Sequence, residues 1–291
     1  MILGGGSNVL FSGDYSGTIL HNRLKGIALT GESDDHYLVR AASGEVWDDF
    51  VEISVKKGWF GLENLSLIPG TVGAAPLQNI GAYGQEAGNL IDSVTFYDFV
   101  DDKNLSISGS ECGFGYRESI FKRELKGRVF ITGVTFKLDK KFKPLLGYKD
   151  VSARFTGRPE TEIAASEVRQ AIIEIRKAKL PDPALLGNAG SFFKNPEVSV
   201  EEYNALSEKH PGLPGYQIGE RVKLSAGWLI QEAGWKGKKY KNCGTYSNQA
   251  LVLVNYGDAH PKEILELKEM IKADVLQKFS VYLEEEVNII A

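Results

Sequence analysis

Cysteine is nearly absent: Cys112 and Cys243 are the only two in 291 residues. The opening MILGGGSNVLFSGDYSG has neither a basic leader nor a cleavable apolar core, so it does not read as a signal peptide. Two free thiols in a reducing cytoplasm are therefore expected, not a disulfide. Histidine is as sparse, with His21, His36, His210 and His260 scattered far from the cysteines, so no zinc or haem ligand spacing arises. No segment comes near the ~18 uninterrupted apolar residues of a membrane span. An excess of one charge is missing too. The 34 basic and 38 acidic residues give a net charge of −4, which offers no footprint for nucleic acid. No Lys/Arg cluster addresses an anionic membrane surface. G-x-G-x-x-G, the P-loop and G-x-S-x-G are all absent, which disfavours a Rossmann site, a P-loop NTPase and a hydrolase elbow.

Glycine is abundant, 32 of 291 residues, against a usual share of ~7%. The densest stretch is residues 61–84, GLENLSLIPGTVGAAPLQNIGAYG, with five glycines, two prolines and Glu63 as its only charge. Gly and Pro penalise helix interiors, while Leu62, Leu65, Leu67, Ile68, Val72, Leu77 and Ile80 call for burial. The backbone must therefore fold close against something, with Gly70, Gly73, Gly81 and Gly84 admitting approaches that a side chain blocks. Two readings fit: a cradle of free N–H groups for the pyrophosphate of a dinucleotide cofactor, and a buried crossover that holds no ligand. Gly4, Gly5, Gly6, Ser7 and Asn8 form a second candidate anion turn, and equally a plain strand-connecting turn. A dinucleotide held by backbone turns without a Rossmann motif points to a flavin of another fold.

Taken in order, residues 17–30 and 37–42 read as strands. A helix is expected from Glu45 to Lys57, with Ser43 as N-cap, Val46, Phe50 and Ile53 on one stripe, and Gly58 as C-terminal stop. Strands follow near 91–100, 104–108 and 129–138, an α+β order and not the regular alternation of a doubly wound sheet. KKFKPLLGYKD reads as a loop, and a helix from Ser166 to Lys179 is stopped by LPDP. Ser199 with Glu202 has the spacing of a capping box. A short helix around 227–233, a strand at 249–256 and a helix from Pro261 to Phe279 complete the second half. The last segment, VYLEEEVNII, reads as a strand.

Three polar positions draw notice. Arg117, in CGFGYRES, suits a bidentate grip on a carboxylate or phosphate, and equally a surface stack on Tyr116. Ser191, between Gly190 and Phe192, sits in a close-packed turn or at a strand edge. In a strand over 281–290, alternation puts Glu286 with Tyr282, Glu284 and Asn288, and turns Glu285 toward the apolar side with Val281, Leu283 and Val287. That implies a bulge or strand end near Glu285, unless the run is simply a solvated acidic face.

GGGSNVL, GLENLSLIPGTVGAAPLQNIGAYG, CGFGYRESIFK, AKLPDP, GNAGSFFKNP, KLSAGWLIQEAG and the terminal LEEEV together resemble the UDP-N-acetylenolpyruvoylglucosamine reductases, the MurB family. The resemblance implies an α+β chain: an FAD-binding domain of the vanillyl-alcohol-oxidase type, followed by a MurB-type substrate-binding domain. It implies residues 1–139 as the flavin domain, rejoined by the last strand at 280–291. Residues 140–180 then carry a tyrosine loop and connecting helix, and 181–279 the UDP-sugar domain. It implies FAD as cofactor and NADPH as reductant. The expected reaction reduces the enolpyruvyl ether of UDP-N-acetylglucosamine to UDP-N-acetylmuramate, a cytoplasmic step of peptidoglycan synthesis by a monomer with no metal, nucleic-acid or membrane partner.

By motif, the resemblance assigns Gly4, Gly5, Gly6, Ser7, Asn8, Ile68, Pro69, Gly70, Gly73, Ala74, Gln78, Ile80, Gly81 and Arg117 to the flavin. It assigns Tyr83, Tyr148, Lys179, Asn195 and Gln249 to the substrate, and Tyr148 places the chain with the type I branch. It makes Ser191 the acid at C2, with Arg117 and Glu286 acting on the substrate carboxylate. These three are expected to line one pocket. Two departures stand out: the family's opening segment is missing, and Tyr246 stands where members often carry His. A carbohydrate or lactone oxidase on the same flavin fold, and a catalytically silent nucleotide-sugar-binding relative, are the competing functions.

Overall fold

Alternating apolar side chains build the first sheet. Val134, Phe136 and Leu138 of strand Val129–Asp139 are fully buried, as are Val39 and Val94 of strands His36–Ala42 and Ile91–Asp98. These strands form a five-stranded antiparallel sheet in the order Ile27–Glu32, His36–Ala42, Val129–Asp139, Ile91–Asp98, Lys103–Ser108. The helix Trp47–Lys57 lays Trp47 and Phe50 on Phe136, at ring separations of 5.8 and 5.1 Å. The computed structural model describes residues 1–291. Its contacts separate two units: Met1–Gly6 with Gly17–Arg176, and Ser7–Ser16 with Lys177–Ala291. No helix is long and apolar enough to cross a membrane.

The first helix departs from its expected start and face. It begins at Trp47, its N-cap is Val46, and Val46 and Ile53 are exposed while Trp47, Phe50, Val51 and Ser54 are buried. Ser43 does not cap it, because its hydroxyl accepts from Asn22 Nδ2 at 2.9 Å. Gly58 ends the helix in the left-handed region as expected.

The Gly-rich stretch is irregular, with 3-10 turns at Glu63–Leu65 and Val72–Ala74 and a short strand Gly81–Ala82. Leu62, Leu65, Val72 and Ile80 are buried as their chemistry requires, whereas Leu77 is exposed. At its centre Leu67 takes φ 58°, a conformation that a branched side chain adopts only when its surroundings impose it. Both of its peptide groups are held. Its N–H donates to Asp48 Oδ1 at 2.6 Å, and its carbonyl accepts from Arg176 Nε at 3.2 Å. Arg169 grips Asp48 with two bonds of 2.6 and 3.1 Å. Burial pushes the Asp48 carboxyl up, but Arg169, the Leu67 amide and Arg176 together hold it below its ordinary value. Arg169 and Arg176 both come from the helix Ala165–Lys179, whose Val168, Ile172 and Ile175 form a small core with Val151, Phe155 and Ile163.

In the second unit, strands Gly187–Ser191, Val252–Asn255, Cys243–Thr245 and Lys239–Tyr240 form one antiparallel sheet. Glu197–Ser199, Arg221–Leu224 and Gly215–Ile218 form another. Helices Val200–Lys209, Ala226–Glu232 and Pro261–Phe279 complete it, the first opened by the Ser199–Glu202 capping box. The segment 281–290 is not one strand. Only Asn288–Ile290 pairs, in parallel with Val9–Phe11, and Glu285 makes a lone bridge with Phe193. Val281, Leu283 and Val287 nonetheless point into the core that Leu267, Ile271 and Val275 build, with Leu10 packed on it. Glu285, on that same inward side, is met by Lys268 and Lys272 at 2.8 and 2.9 Å.

These contacts differ from the expected partition in two places. Residues 140–176 pack with the first unit: Tyr83 joins the Val168–Ile175 core, Phe142 meets the Phe60 ring at 5.5 Å, and Arg169 grips Asp48. Residues 280–291 pack with the second, because their apolar side chains complete its core.

Two stability measurements follow. Burial raises the Glu63 carboxyl to about 7, against the Gly61 N–H that it accepts. A raised carboxyl binds its proton more tightly folded than unfolded, so stability declines as pH rises from its ordinary 4.5 to about 7. Glu63→Gln should therefore stabilise by about 2 kcal/mol at pH 8 in urea unfolding, and by nothing near pH 4.5; a uniform effect at both pH values contradicts the burial cause. Glu285 behaves oppositely. Burial raises its carboxyl, but Lys268 and Lys272 override that and hold it at about 2. Its contribution is complete above the ordinary 4.5 and is lost as pH falls through about 2. Glu285→Gln should cost about 1 kcal/mol at pH 7, discounted for partial exposure; no loss at pH 7 contradicts the clamp.

Candidate functional site

The first unit brings two of the glycine turns together. A Cβ on Gly5 meets Gly70 Cα at 3.2 Å, and one on Gly4 meets Thr71 Oγ1 at 2.5 Å. A side chain at either position would crowd its neighbour. The N–H groups of Gly4, Gly5, Gly6 and Thr71 take no acceptor from the chain, so the junction offers backbone donors of the kind that hold phosphate oxygens. Gly73 closes the far side, its Cβ position lying 2.6 Å from Ser43 Cβ. Ile68 and Pro69 lead into Gly70, Ala74 ends the 3-10 turn that follows, and Gln78 and Ile80 continue toward Gly81. The stretch thus combines a buried core face, formed by Leu65, Val72 and Ile80, with a rim of unused amides.

Arg117 lies on the same stretch. Its Nη2 donates to the Gly81 carbonyl at 2.9 Å, while its guanidinium sits 5.3 Å from the Tyr116 ring centroid. A Cβ on Gly81 falls 3.3 Å from Arg117 Nη1, so this glycine makes room for the cation. Arg117 has φ 56° and is fixed in a tight turn closed by mutual Gly115 and Glu118 backbone bonds. Asn79 ties that turn to the stretch, donating to the Gly115 carbonyl at 3.0 Å and to Glu86 Oε2 at 2.8 Å.

Tyr83, with φ 49°, leaves the stretch to meet Tyr148 edge-on at 5.4 Å. The Tyr83 hydroxyl also supports Arg176, whose own charge is disfavoured first by burial. Tyr148 precedes the short helix Lys149–Ser152 and is exposed.

In the second unit Ser191 ends strand Gly187–Ser191 beside a bulge that separates it from Asn188. Gly190, at φ 74°, makes the bend, and its N–H is taken by Asn188 Oδ1. The next residue, Phe192, is buried and its carbonyl accepts the Glu286 N–H at 2.8 Å. Ser191 and Glu286 therefore flank one backbone bond across 95 positions of chain. Asn8 Nδ2 donates to the Glu286 carbonyl at 3.2 Å, so the GGGSN run splits: Gly4 to Gly6 sit in the first unit and Ser7 and Asn8 in the second. The three acids of LEEEV do three different things. Glu284 meets Lys194, Glu285 is clamped by lysines, and Glu286 lies beside Asn8.

A cavity of about 270 Å³ in this unit is lined by Lys179, Pro214, Ser225, Gly227, Trp228, Gln231, Lys236, Asn248, Gln249 and Ala250. Lys179 and Gln249, expected at the substrate, are both in its wall. Asn195 is one step behind, accepting the Ala226 N–H at 2.9 Å and so setting the start of the helix that carries Trp228. Sequence reasoning missed Lys236, Trp228 and Asn248 as lining residues. Trp228 and its neighbours stand in KLSAGWLIQEAG, a motif quoted only for its likeness, and nothing local marks Lys236.

Ser191, Glu286, Asn195, Lys179 and Gln249 thus belong to the second unit, and Arg117, Tyr83, Tyr148 and the glycines Gly4 to Gly81 to the first.

Comparison with known proteins identifies relatives of both halves of the chain. Residues 1–104 match the family model described as FAD binding domain, and residues 182–290 the one described as UDP-N-acetylenolpyruvoylglucosamine reductase, C-terminal domain. A Dechloromonas aromatica protein named UDP-N-acetylenolpyruvoylglucosamine reductase is 46% identical over 289 residues, covering 98% of this chain and 86% of its own. One of that name from Bacteroides fragilis is also 46% identical, covering 99% and 86%. The crystal structure of UDP-N-acetylenolpyruvylglucosamine reductase (MurB) from Thermus caldophilus shares the fold, with a TM-score of 0.66 at 24% identity over 100% of this chain and 85% of that one. The terminal strand Asn288–Ile290 pairs with Val9–Phe11, which lies inside the flavin-domain match. On identity across nearly its whole length, the chain belongs to the UDP-N-acetylenolpyruvoylglucosamine reductase family.

Proposed function

We propose that the chain reduces the enolpyruvyl ether of UDP-N-acetylglucosamine to UDP-N-acetylmuramate, with FAD as cofactor and NADPH as reductant, as a cytoplasmic monomer in peptidoglycan precursor synthesis. One observation carries the reading: family identity spans both halves of a chain whose first unit presents an amide-rimmed glycine junction and whose second holds a cavity lined by Lys179 and Gln249. The junction of Gly4 to Gly6 with Gly70 and Thr71 fits a pyrophosphate, because backbone N–H groups without an acceptor in the chain gather there beside the Thr71 hydroxyl. When bound, FAD supplies the two-electron relay from NADPH to the substrate double bond.

The protein's own side chains then have distinct work. Lys179 and Lys236 place two cations on one cavity wall with Trp228 and the amides of Gln231, Asn248 and Gln249. Such a set suits a diphosphate joined to a planar base. Ser191 donates the proton to C2 of the reduced enolpyruvyl group. A hydroxyl is a weak acid, and the role is chemically reasonable because the acceptor is a strongly basic enolate-like carbon. Arg117 stabilises negative charge growing on the substrate carboxylate, its turn fixed beforehand by Gly81 and Asn79. Glu286 assists at that carboxylate, its backbone held by Phe192 and Asn8. Tyr148 closes over substrate from its loop.

Anaerobic half-reactions test this. NADPH should bleach the yellow protein, and UDP-enolpyruvyl-N-acetylglucosamine should restore the colour. Restoration by oxygen or a simple sugar alone points to an oxidase, and colourless protein that binds UDP-sugar to a silent relative. Ser191→Ala should leave reduction by NADPH intact and slow reoxidation by substrate about a hundredfold or more; equal damage to both half-reactions contradicts the acid role.

A further inference from the structure

Asn64 has an unusual position for a polar side chain. It is 3% exposed, in the 3-10 turn Glu63–Leu65, and its charged neighbour Glu63 is equally buried. Its single amide nitrogen donates twice, to the Tyr83 carbonyl at 2.8 Å and to the Leu145 carbonyl at 2.8 Å. An amide NH₂ has two hydrogens, so both are spent on two backbone segments 62 residues apart in sequence. Leu145 and Tyr148 share the loop that follows strand Val129–Asp139, and Tyr83 is the residue whose ring meets Tyr148. One buried side chain thus joins the base of that loop to the residue against which its tip packs.

The turn that presents Asn64 is itself well anchored. The Leu65 carbonyl accepts from Trp47 Nε1 at 2.9 Å, and Ser66 Oγ donates to the Glu63 carbonyl at 2.6 Å. Leu65 and Trp47 are completely buried. Loop residue Leu145 is by contrast exposed, and only Phe142 and Leu146 pack on the neighbouring core. The loop therefore has few apolar contacts, and a pair of buried hydrogen bonds is a large part of what holds it.

We propose that Asn64 is a positioning residue that latches the 143–149 loop to the Gly-rich stretch and so sets where Tyr148 stands against Tyr83. The consequence for substrate rests on the reading above that Tyr148 closes over it; the latch itself does not. Asn64 touches no reacting group and acts through Tyr148. No residue but asparagine or glutamine supplies two donors from one neutral planar nitrogen, and glutamine adds a methylene that a buried site cannot absorb without a shift. Aspartate keeps the shape and removes both donors, setting carboxylate oxygens against two carbonyl oxygens.

The experiment uses the flavin-loaded chain with Asn64→Asp and Asn64→Ala, the second leaving no buried charge should the first fail to fold. Hydrogen exchange of the hydrogen-bonded amides Val151 to Phe155, in the turns that the loop leads into, should quicken about tenfold in either variant, the scale of one to two lost buried hydrogen bonds. Unchanged exchange there, or a rise spread evenly over the sheet, overturns the latch. In turnover, KM for the UDP-enolpyruvyl sugar should rise about tenfold while the rate of flavin reduction by NADPH stays as it was. Placed on Tyr148→Ala, the same Asn64 substitutions should add nothing further; full additivity overturns action through Tyr148. If Tyr148→Ala alone leaves KM unchanged, the substrate role of the tyrosine fails, and the exchange result still decides the latch.

Discussion

The Gly-rich stretch has little regular structure of its own, so something outside it must fix its path. That constraint is the Asp48 carboxylate. It accepts the Leu67 amide and two bonds from Arg169, and two turns further on the same helix sends Arg176 to the Leu67 carbonyl. Leu67 is thereby held at a positive φ that it does not favour. An ion pair this sheltered gains little stability over an apolar pair of like size. Its use is geometric: it couples the helix Trp47–Lys57, the helix Ala165–Lys179 and the chain just before Gly70 into one arrangement. Gly70 and Thr71 lie against the Gly4–Gly5 backbone, and the anchoring of Leu67 limits how far the chain leading to them can swing.

From that point the stretch distributes functional parts by backbone as much as by side chain. Gly81 yields its carbonyl and its empty Cβ position to Arg117, Asn79 ties in the Arg117 turn, and Tyr83 turns out to meet Tyr148. At Gly81 an added methyl would crowd Glu86 Cγ at 2.9 Å and Arg117 Nη1 at 3.3 Å, so this glycine is set by contact distance. In the second unit the same economy recurs. Gly190 bends the chain at Ser191, and the adjacent Phe192 carbonyl holds Glu286. The buried Phe192 and Phe193 on the acceptor side of that bond exclude the slack that a surface strand would allow.

What could be read in the sequence was what local chemistry decides. The helix Ala165–Lys179 and the Ser199–Glu202 capping box follow from spacing within a few residues, and both stand. The central strands follow from alternation, and they stand as well. Where distant partners compete, the local signal misled. Ser43 has the chemistry of an N-cap, but Asn22 occupies its hydroxyl, so the helix starts at Trp47 and its buried face shifts away from Val46 and Ile53. Leu77 has the composition of a core residue yet is exposed, although its carbonyl accepts from the buried Ser119 hydroxyl. LEEEV alternates as a strand does, but the inward Glu285 needs two lysines of the last helix, and pairing stops at a single bridge. Lys236 and Asn64 gave no signal, since their importance lies wholly in partners far along the chain. The family likeness supplied roles for Ser191, Arg117 and Glu286 that spacing alone could not.

The most direct test of the central constraint is equilibrium unfolding of Asp48→Ala together with its retention of FAD through gel filtration. Losing Asp48 leaves the buried Arg169 with only the longer contact to Glu52 at 3.9 Å and frees the Leu67 amide, so stability should fall by about 3 kcal/mol and FAD should be released more readily than from the parent chain. A variant as stable as the parent that keeps its flavin equally well contradicts the claim that this carboxylate holds the Gly-rich stretch in place.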